Sequence, residues 1–405
     1  MTLSFISPLG APARPARHKH WLEVAEQVAR TLRTDVLERD RAGQPPLAEK
    51  ELLRQSGLLP LNIPAHLGGE GLSWHECFEL VQVIARADNS IGQLLGYHYI
   101  FQVFPYLDLQ GEAAEQLALE TLANHWLFAS TGTPQGKQIE AEHTEAGWVL
   151  NGTKPFATGS YVADRIFSRA ITEDGTRLVA LIDTQADGVI RHDDWDVLGS
   201  RLTATNSIEY RDLLITDKQI IARIPATDAE REPAKTLSTP AFQLLFSTVY
   251  LAAAEGALSE ALTYTRETSR PWFHSAVDRA TEDPYILSQY GGFVAQVQAL
   301  SAVIQQATDA LDWGFAQGQQ LTEEQRAHIA EQIVTAKITA HRTALDVTQG
   351  VYDVTGARAT KKTVGLDRHW RDVRTHTLHD PVAYKQAELG SYVLNGTLPA
   401  PSAYQ

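Results

Sequence analysis

The hydrophobic period of this chain switches twice, and few folds accommodate both switches. Residues 126–223 fall into short segments, QIEAEHTE, GWVLNGTKPF, RIFSRAIT, RLVALID and ATNSIEYRDLLI, rich in β-branched and aromatic residues and broken by Gly, Asn and Asp. On either side the spacing is helical. Before the insert, helices are predicted over 21–40, 47–56 and 89–107, with another opened by the capping-box pair Ser73 and Glu76. After it, long helices are predicted over 240–269, 284–317 and, from the Thr322/Gln325 box, 322–353. Their length suits a four-helix bundle completed by a short helix after Pro381. The expected organisation is a helical N-terminal domain (1–125), a central β domain (126–225) and a C-terminal helical bundle (226–405). Residues 270–284, RPWFHSAVDRATEDP, are too long for a bundle turn and read as a candidate lid.

A length of 405 residues favours more than one domain, and 43% hydrophobic with 21% charged residues describes a globular chain. No stretch reads as a membrane span, and the first twenty residues lack the apolar core of a signal peptide, so a cytoplasmic protein is expected. The net charge of −14 argues against nucleic acid or an anionic membrane as partner. Sulfur is nearly absent: Cys77 is the single cysteine and the initiator Met1 the single methionine. Intrachain disulfides are excluded. Such scarcity suits a protein made when sulfur is short, with drift in a GC-rich genome as the alternative.

The densest cluster of chemistry is RHWRDVRTHTLHDP, residues 368–381. Arg368, Arg371 and Arg374 are spaced as one helix face that can pair with Asp367 and Asp372, or as a basic patch for an anionic ligand. His376 and His379 are three apart, but no HExxH or cysteine cluster accompanies them, so no metal site is expected. Proline after Asp380 enforces a bend beside His379. His98 lies in an otherwise apolar helix and reads first as a core histidine. Neither Gly68-Gly69-Glu70-Gly71 nor Gly291-Gly292 follows a strand, so a dinucleotide fold is not supported.

PAHLGGEG in the first domain and NGTKPFATG in the second make the domain order resemble the acyl-CoA dehydrogenase fold, in which the central domain is a β-barrel. Tyr97-His98, VYLAAAEGALSEALTYTRETSRPW, ATEDPY, VTGARA and above all WRDVRTHTLHDPVAYK resemble the reduced-flavin-dependent monooxygenases of desulfurization, the group of the dibenzothiophene enzyme. The resemblance implies FMN, supplied as FMNH2 by a separate NAD(P)H:flavin reductase, O2 as co-substrate, a flavin C4a-hydroperoxide, a small organosulfur substrate and a homotetramer. It implies that Thr158 meets the flavin N5/O4 edge, with Ser130, Thr131 and Phe156 nearby. Trp195 would wall the ring, and Arg270 and Arg358 would clamp the phosphate, Arg358 from a neighbouring subunit. His98, His376 and His379 would line the oxygen side. The segment in which acyl-CoA dehydrogenases carry acid–base chemistry reads His376-Thr377-Leu378-His379, which leaves Glu255 as the one tempting base. Acyl-CoA dehydrogenation, nitrogen or aromatic hydroxylation on the same fold, and a catalytically silent flavoprotein remain the alternatives.

Overall fold

The computed structural model describes residues 15–109, 111–133, 136–224 and 231–402. Seven helices precede the strands: α1 (Ala16–Arg33), α2 (Val36–Ala42), α3 (Leu47–Ser56), α4 (Trp74–Ala87), α5 (Asn89–Val103), α6 (Pro105–Asp108) and α7 (Gly111–Asn124). The capping box is in place at α4, where Ser73 Oγ accepts from the Glu76 amide at 3.3 Å and Glu76 returns the bond to Ser73 N at 3.0 Å. One helix was predicted over 89–107. It stops at Val103 because Pro105 cannot donate into the α5 ladder, and proline instead opens α6.

The middle of the chain forms one mixed sheet from β1 (Phe128–Ser130), β2 (Ile139–Thr144), β3 (Gly147–Lys154), β4 (Arg165–Thr172), β5 (Arg177–Asp183), β6 (Val189–Arg191), β7 (Ile208–Ile215) and β8 (Ile220–Ile224). Its order is β6-β7-β3-β2-β4-β5-β8, with β1 added parallel to β4. β2 also runs parallel to β4, and the other pairs are antiparallel. Alternate residues of β5, Leu178, Ala180 and Ile182, are buried in the sheet's own core.

α8 (Ser238–Glu267), α9 (Pro284–Gln317) and α10 (Glu323–Thr355) build the bundle, flanked by α11 (Asp367–His376) and α12 (Val382–Asn395). The segment Pro233–Glu267 is, by length and composition alone, apolar enough to cross a membrane. Its most apolar window is 94% buried inside the protein, so α8 is apolar all round because other elements surround it. The helices before and after the sheet in the chain share one core: Ile84, Ile91 and Leu95 belong to the same buried cluster as Leu244, Leu258, Leu300 and Ile333. Close approach is paid for in glycine. A Cβ on Gly96 would lie 2.1 Å from Leu245 Cδ1, so a side chain there would have to displace Leu245 where α5 packs on α8.

Candidate active site

A cavity of about 700 Å³ opens where α5, α8 and the α11–α12 turn meet the loops of the sheet. On the sheet side, Phe156 adopts φ 55° and Ser200 φ 55°, left-handed conformations uncommon for residues with a Cβ. They turn the 156–158 and 195–205 loops inward. Trp195 donates from Nε1 to Ser200 O at 2.9 Å and meets Phe156 edge-on, ring centroids 6.3 Å apart. Behind them runs a chain of hydroxyls. Thr203 Oγ1 donates to Ser200 O at 2.8 Å, lies 2.7 Å from Thr205 Oγ1, and Thr205 Oγ1 donates to Thr158 Oγ1 at 3.1 Å. Ser130 also lines the cavity, its Oγ accepting from the Gly132 amide at 3.0 Å.

α11 carries the opposite wall. Its arginines are fasteners, not an anion site: buried Arg368 forks onto Glu260 of α8, Nη1 to Oε2 at 2.8 Å, and Arg371 bonds Asp367 at 2.8 Å and pairs with Asp40 of α2. Asp372 accepts the Ser200 amide at 2.6 Å, which ties α11 to the Trp195 loop. Burial pushes the Asp372 carboxyl up to about 7 against that hydrogen bond. The seam admits nothing more, since a Cβ on Gly199 would sit 2.1 Å from the carbonyl carbon of Arg371.

This docking aims two histidines at the cavity. Tyr250 lies 2.8 Å from His376 Nδ1, and burial, then the charges of His379 and Lys337, hold His376 well below its ordinary pKa. With Nδ1 as its partner, the buried Tyr250 hydroxyl is satisfied by donating to it, and that assignment puts the proton of a neutral His376 on Nε2. Among the described residues that Nε2 has no partner, so it is a donor waiting for an acceptor. His379 stacks on His376, centroids 5.7 Å apart and planes 14° apart, and its Nδ1 lies 3.1 Å from Asp380 Oδ1. Lys337 completes the set 3.3 Å from the same oxygen. Against the cost of burial, the bond from His379 and the charge of Lys337 hold Asp380 well below the usual carboxylate range.

The structure thus gathers Ser130, Phe156, Thr158, Trp195, His376 and His379 around one cavity and leaves the other expected residues outside it. His98 is fully buried between backbones: Nε2 meets Leu59 O at 2.7 Å and Nδ1 accepts the Phe128 amide at 3.0 Å. Both nitrogens are occupied, and burial draws its pKa down to about 4, so it is a neutral strut joining α5, β1 and the segment after α3. Thr131 is buried with its hydroxyl 2.8 Å from Ser168 Oγ and does not line the cavity. Arg270 and Arg358 are exposed where the C-terminal ends of α8 and α10 meet, Ser269 Oγ donating to Thr355 O at 3.1 Å, and neither lines the cavity of its own chain. Glu255 looks away from the cavity toward α4, bonded to Gln82 at 2.9 Å and paired with Arg86 at 3.5 Å. No residue of 270–284 lines the cavity.

Sequence reasoning missed Gln93, Gln243 and Phe246 in the lining, and Tyr250, Lys337 and Asp380 behind it. A signal existed for the glutamines, since each interrupts an apolar helix at a buried position. Among the described residues no group of three His, Cys, Asp or Glu side chains could hold a metal.

The lining suits a flavin ring. An apolar slot edged by Trp195 and Phe156, with Thr158 on one edge and an unpartnered buried Nε2–H facing in, matches a planar heterocycle whose polar atoms lie on its rim. Residues 244–383 match the family described as acyl-CoA dehydrogenase, C-terminal domain. The chain is 37% identical to a dibenzothiophene monooxygenase of Mycolicibacterium goodii, over 96% of this chain and 97% of that one. It is 34% identical to a probable FMNH2-dependent monooxygenase, SfnC, of Pseudomonas putida, over 98% and 99%. Among solved structures, FMN-bound TdsC of Paenibacillus sp. A11-2 superposes with a TM-score of 0.91 at 37% identity, covering 95% of this chain and 100% of that one. Methanesulfinate monooxygenase MsuC of Pseudomonas fluorescens gives 0.90 at 33%, covering 95% and 99%. With relatives of this identity along nearly its whole length, the chain belongs to the FMNH2-dependent monooxygenases of the acyl-CoA dehydrogenase fold.

Proposed function

We propose that the protein inserts one oxygen atom of O2 at the sulfur of a small organosulfur compound, in sulfur scavenging, with FMNH2 delivered by a separate NAD(P)H:flavin reductase. The observation that carries this reading is the convergence of the Thr158 hydroxyl, Trp195, the neutral His376 Nε2–H and His379 on one aromatic cavity. The reduced flavin supplies the electron pair that, with O2, yields one transferable oxygen and one water. The residues supply position and protons. Thr158, with the hydroxyl chain behind it, and Ser130 fix the polar edge of the ring, while Phe156 and Trp195 hold its apolar body. His376 donates from Nε2 to the oxygen side and, kept neutral, adds no charge to a pocket that must stay poor in water. His379, braced through Nδ1 by Asp380, serves as the proton source for the departing oxygen. The exposed Arg270 and Arg358 act on the phosphate of a flavin in an adjoining subunit, in a cytoplasmic homotetramer, where a guanidinium fork matches phosphate oxygens. Glu255 faces α4, so the cavity offers no carboxylate base there for dehydrogenating a thioester.

The deciding experiment mixes the protein with photoreduced FMN, O2 and a panel of sulfides, sulfoxides, sulfones and sulfinates, read by mass spectrometry with isotopic O2. A product heavier by one oxygen, labelled from O2 and absent without FMNH2, is expected. Release of all the oxygen as hydrogen peroxide with every compound would overturn the reading.

A further inference from the structure

Behind Thr158 a chain of buried hydroxyls ends on a carbonyl, and its hydrogens can run either way. Thr203 Oγ1 lies 2.8 Å from Ser200 O and 2.7 Å from Thr205 Oγ1, which lies 3.1 Å from Thr158 Oγ1. Each hydroxyl has one hydrogen to give, and a 2.7 Å contact between Thr203 and Thr205 must hold one. Two registers satisfy this. In the inward one the hydrogens run from Thr158 to Thr205, from Thr205 to Thr203 and from Thr203 to Ser200 O, so every contact is filled and Thr158 shows a lone pair to the cavity. In the outward one they run from Thr203 to Thr205 and from Thr205 to Thr158. Thr158 then shows its hydrogen to the cavity, and Ser200 O keeps the bond from Trp195 Nε1 at 2.9 Å alone. The bond from Thr203 to Ser200 O belongs to the inward register and the bond from Thr205 to Thr158 to the outward one, so one set of heavy-atom positions serves both. Tyr97, whose phenol burial pushes up against its bonds with Thr158 and Gln93, stays protonated and can donate or accept, so it fixes neither direction.

We propose that Thr203 and Thr205 are positioning residues that select reduced over oxidised flavin by setting the direction of this chain. The inference rests on the reading above, in which Thr158 meets the N5 edge of FMN, and deepens it. N5 is an N–H donor in reduced flavin and a bare lone pair in oxidised flavin. Reduced flavin therefore calls for the inward register and oxidised flavin for the outward one. The inward register holds one hydrogen bond more, from Thr203 to Ser200 O, and one such bond is worth about fivefold in affinity. The change of register turns hydroxyl hydrogens and moves no heavy atom, so one rigid pocket takes FMNH2 from solution and releases FMN after turnover.

The test is anaerobic equilibrium binding of FMNH2 and FMN to the full-length protein, with the midpoint potential of the bound flavin read by spectroelectrochemistry. The wild type is expected to bind FMNH2 at least about fivefold tighter than FMN, a result that needs no variant. Thr203→Val ends the inward chain on a Thr205 hydrogen with no acceptor. It should lose about tenfold on FMNH2 with FMN within about twofold, which lowers the midpoint potential of the bound flavin by about 30 mV. Thr205→Ser, which keeps the hydroxyl, should behave as wild type. A reduced deaza-FMN carrying CH2 in place of N5–H should bind wild type and Thr203→Val within about twofold of each other. A wild type that binds both redox forms equally, an unchanged potential in Thr203→Val, or equal losses on FMNH2 and the reduced deaza-FMN would overturn the assignment. Selectivity for FMNH2 without any oxygenated product defeats the oxygenase reading alone. Oxygenated product with equal affinity for the two redox forms defeats this inference alone.

Discussion

Lys337→Met tests the polar brace beneath the histidines. The Lys337 ammonium is sealed from water, 3.3 Å from Asp380 Oδ1, 4.4 Å from the centroid of Phe246 and 5.0 Å from that of Tyr250. Burial draws its pKa down to about 8 against the opposing charge of Asp380. Methionine keeps the length of the stem and removes the charge, which leaves Asp380, whose Oδ2 already has no partner, with the bond to His379 and the more weakly acting charge of Lys385. Breaking a buried ion pair from one side costs about 3–5 kcal/mol, and the lost cation–π contacts add about 1 kcal/mol. Restored apolar packing offsets part of this, so a net loss of about 3–4 kcal/mol is expected at pH 8.5. At pH 6, below the folded-state value of about 8, Lys337 is charged in the folded and the unfolded wild type alike, and the loss should be smaller by about 1 kcal/mol. Above about pH 8 the unfolded wild type holds a lysine proton that the folded protein has released, so wild-type stability relative to the variant rises with pH. Urea denaturation of both proteins at the two pH values measures the difference. The double variant Lys337→Met/Asp380→Asn should recover most of the loss, because no uncompensated charge remains. A loss below about 1 kcal/mol at both pH values would show that Asp380 is solvated and does not brace His379.

Three further outcomes are expected. His98→Ala should cost about 2–4 kcal/mol in stability, seen as a lower denaturation midpoint, while turnover per folded site stays near wild type; a selective collapse of turnover would return His98 to the chemistry. His379→Ala should keep FMNH2 affinity within a few-fold while oxygenation falls by about 10²–10⁴ and peroxide release rises, whereas Arg358→Ala should weaken flavin binding by about 1.5–3 kcal/mol; stopped-flow absorbance separates the two. Asp372, raised to about 7 by burial, holds its proton in the folded state when the unfolded chain has lost it. Stability should therefore fall between pH 4 and pH 7 by up to about 4 kcal/mol, and Asp372→Asn, which keeps an acceptor for the Ser200 amide, should flatten that slope in thermal melts.

Local chemistry was legible and tertiary pairing was not. The capping boxes at Ser73 and Thr322 place α4 and α10 because both partners lie within one turn. The change of period marks the sheet because burial alternates along its strands. His376 and His379 stood out because they share a short segment with a proline bend. His98 read from its apolar helix as a core histidine and from the resemblance as a residue of the oxygen side, and the sequence could not decide because what occupies it, Leu59 O and Phe128 N, lies 39 and 30 residues away. The arginine row was ambiguous for the same reason: Asp40 is 331 residues from Arg371. α8 gave a helix but no face, since a helix buried all round has no stripe to read, and Gln243 was lost in it.

The contact between Gly199 and Arg371 has a consequence for how such an enzyme can diversify. With the Asp372–Ser200 bond beside it, that contact makes the tryptophan loop and the histidine helix one mechanical part, which cannot slide without moving both walls of the reaction space together. The seam between α5 and α8, fastened to α11 by Arg368 on Glu260, carries its own side chains to the same cavity. Exchanging residues along that seam can therefore retune which molecule is held while the spacing between Trp195 and His376 stays fixed, much as a tool holder accepts new bits without realigning its shaft.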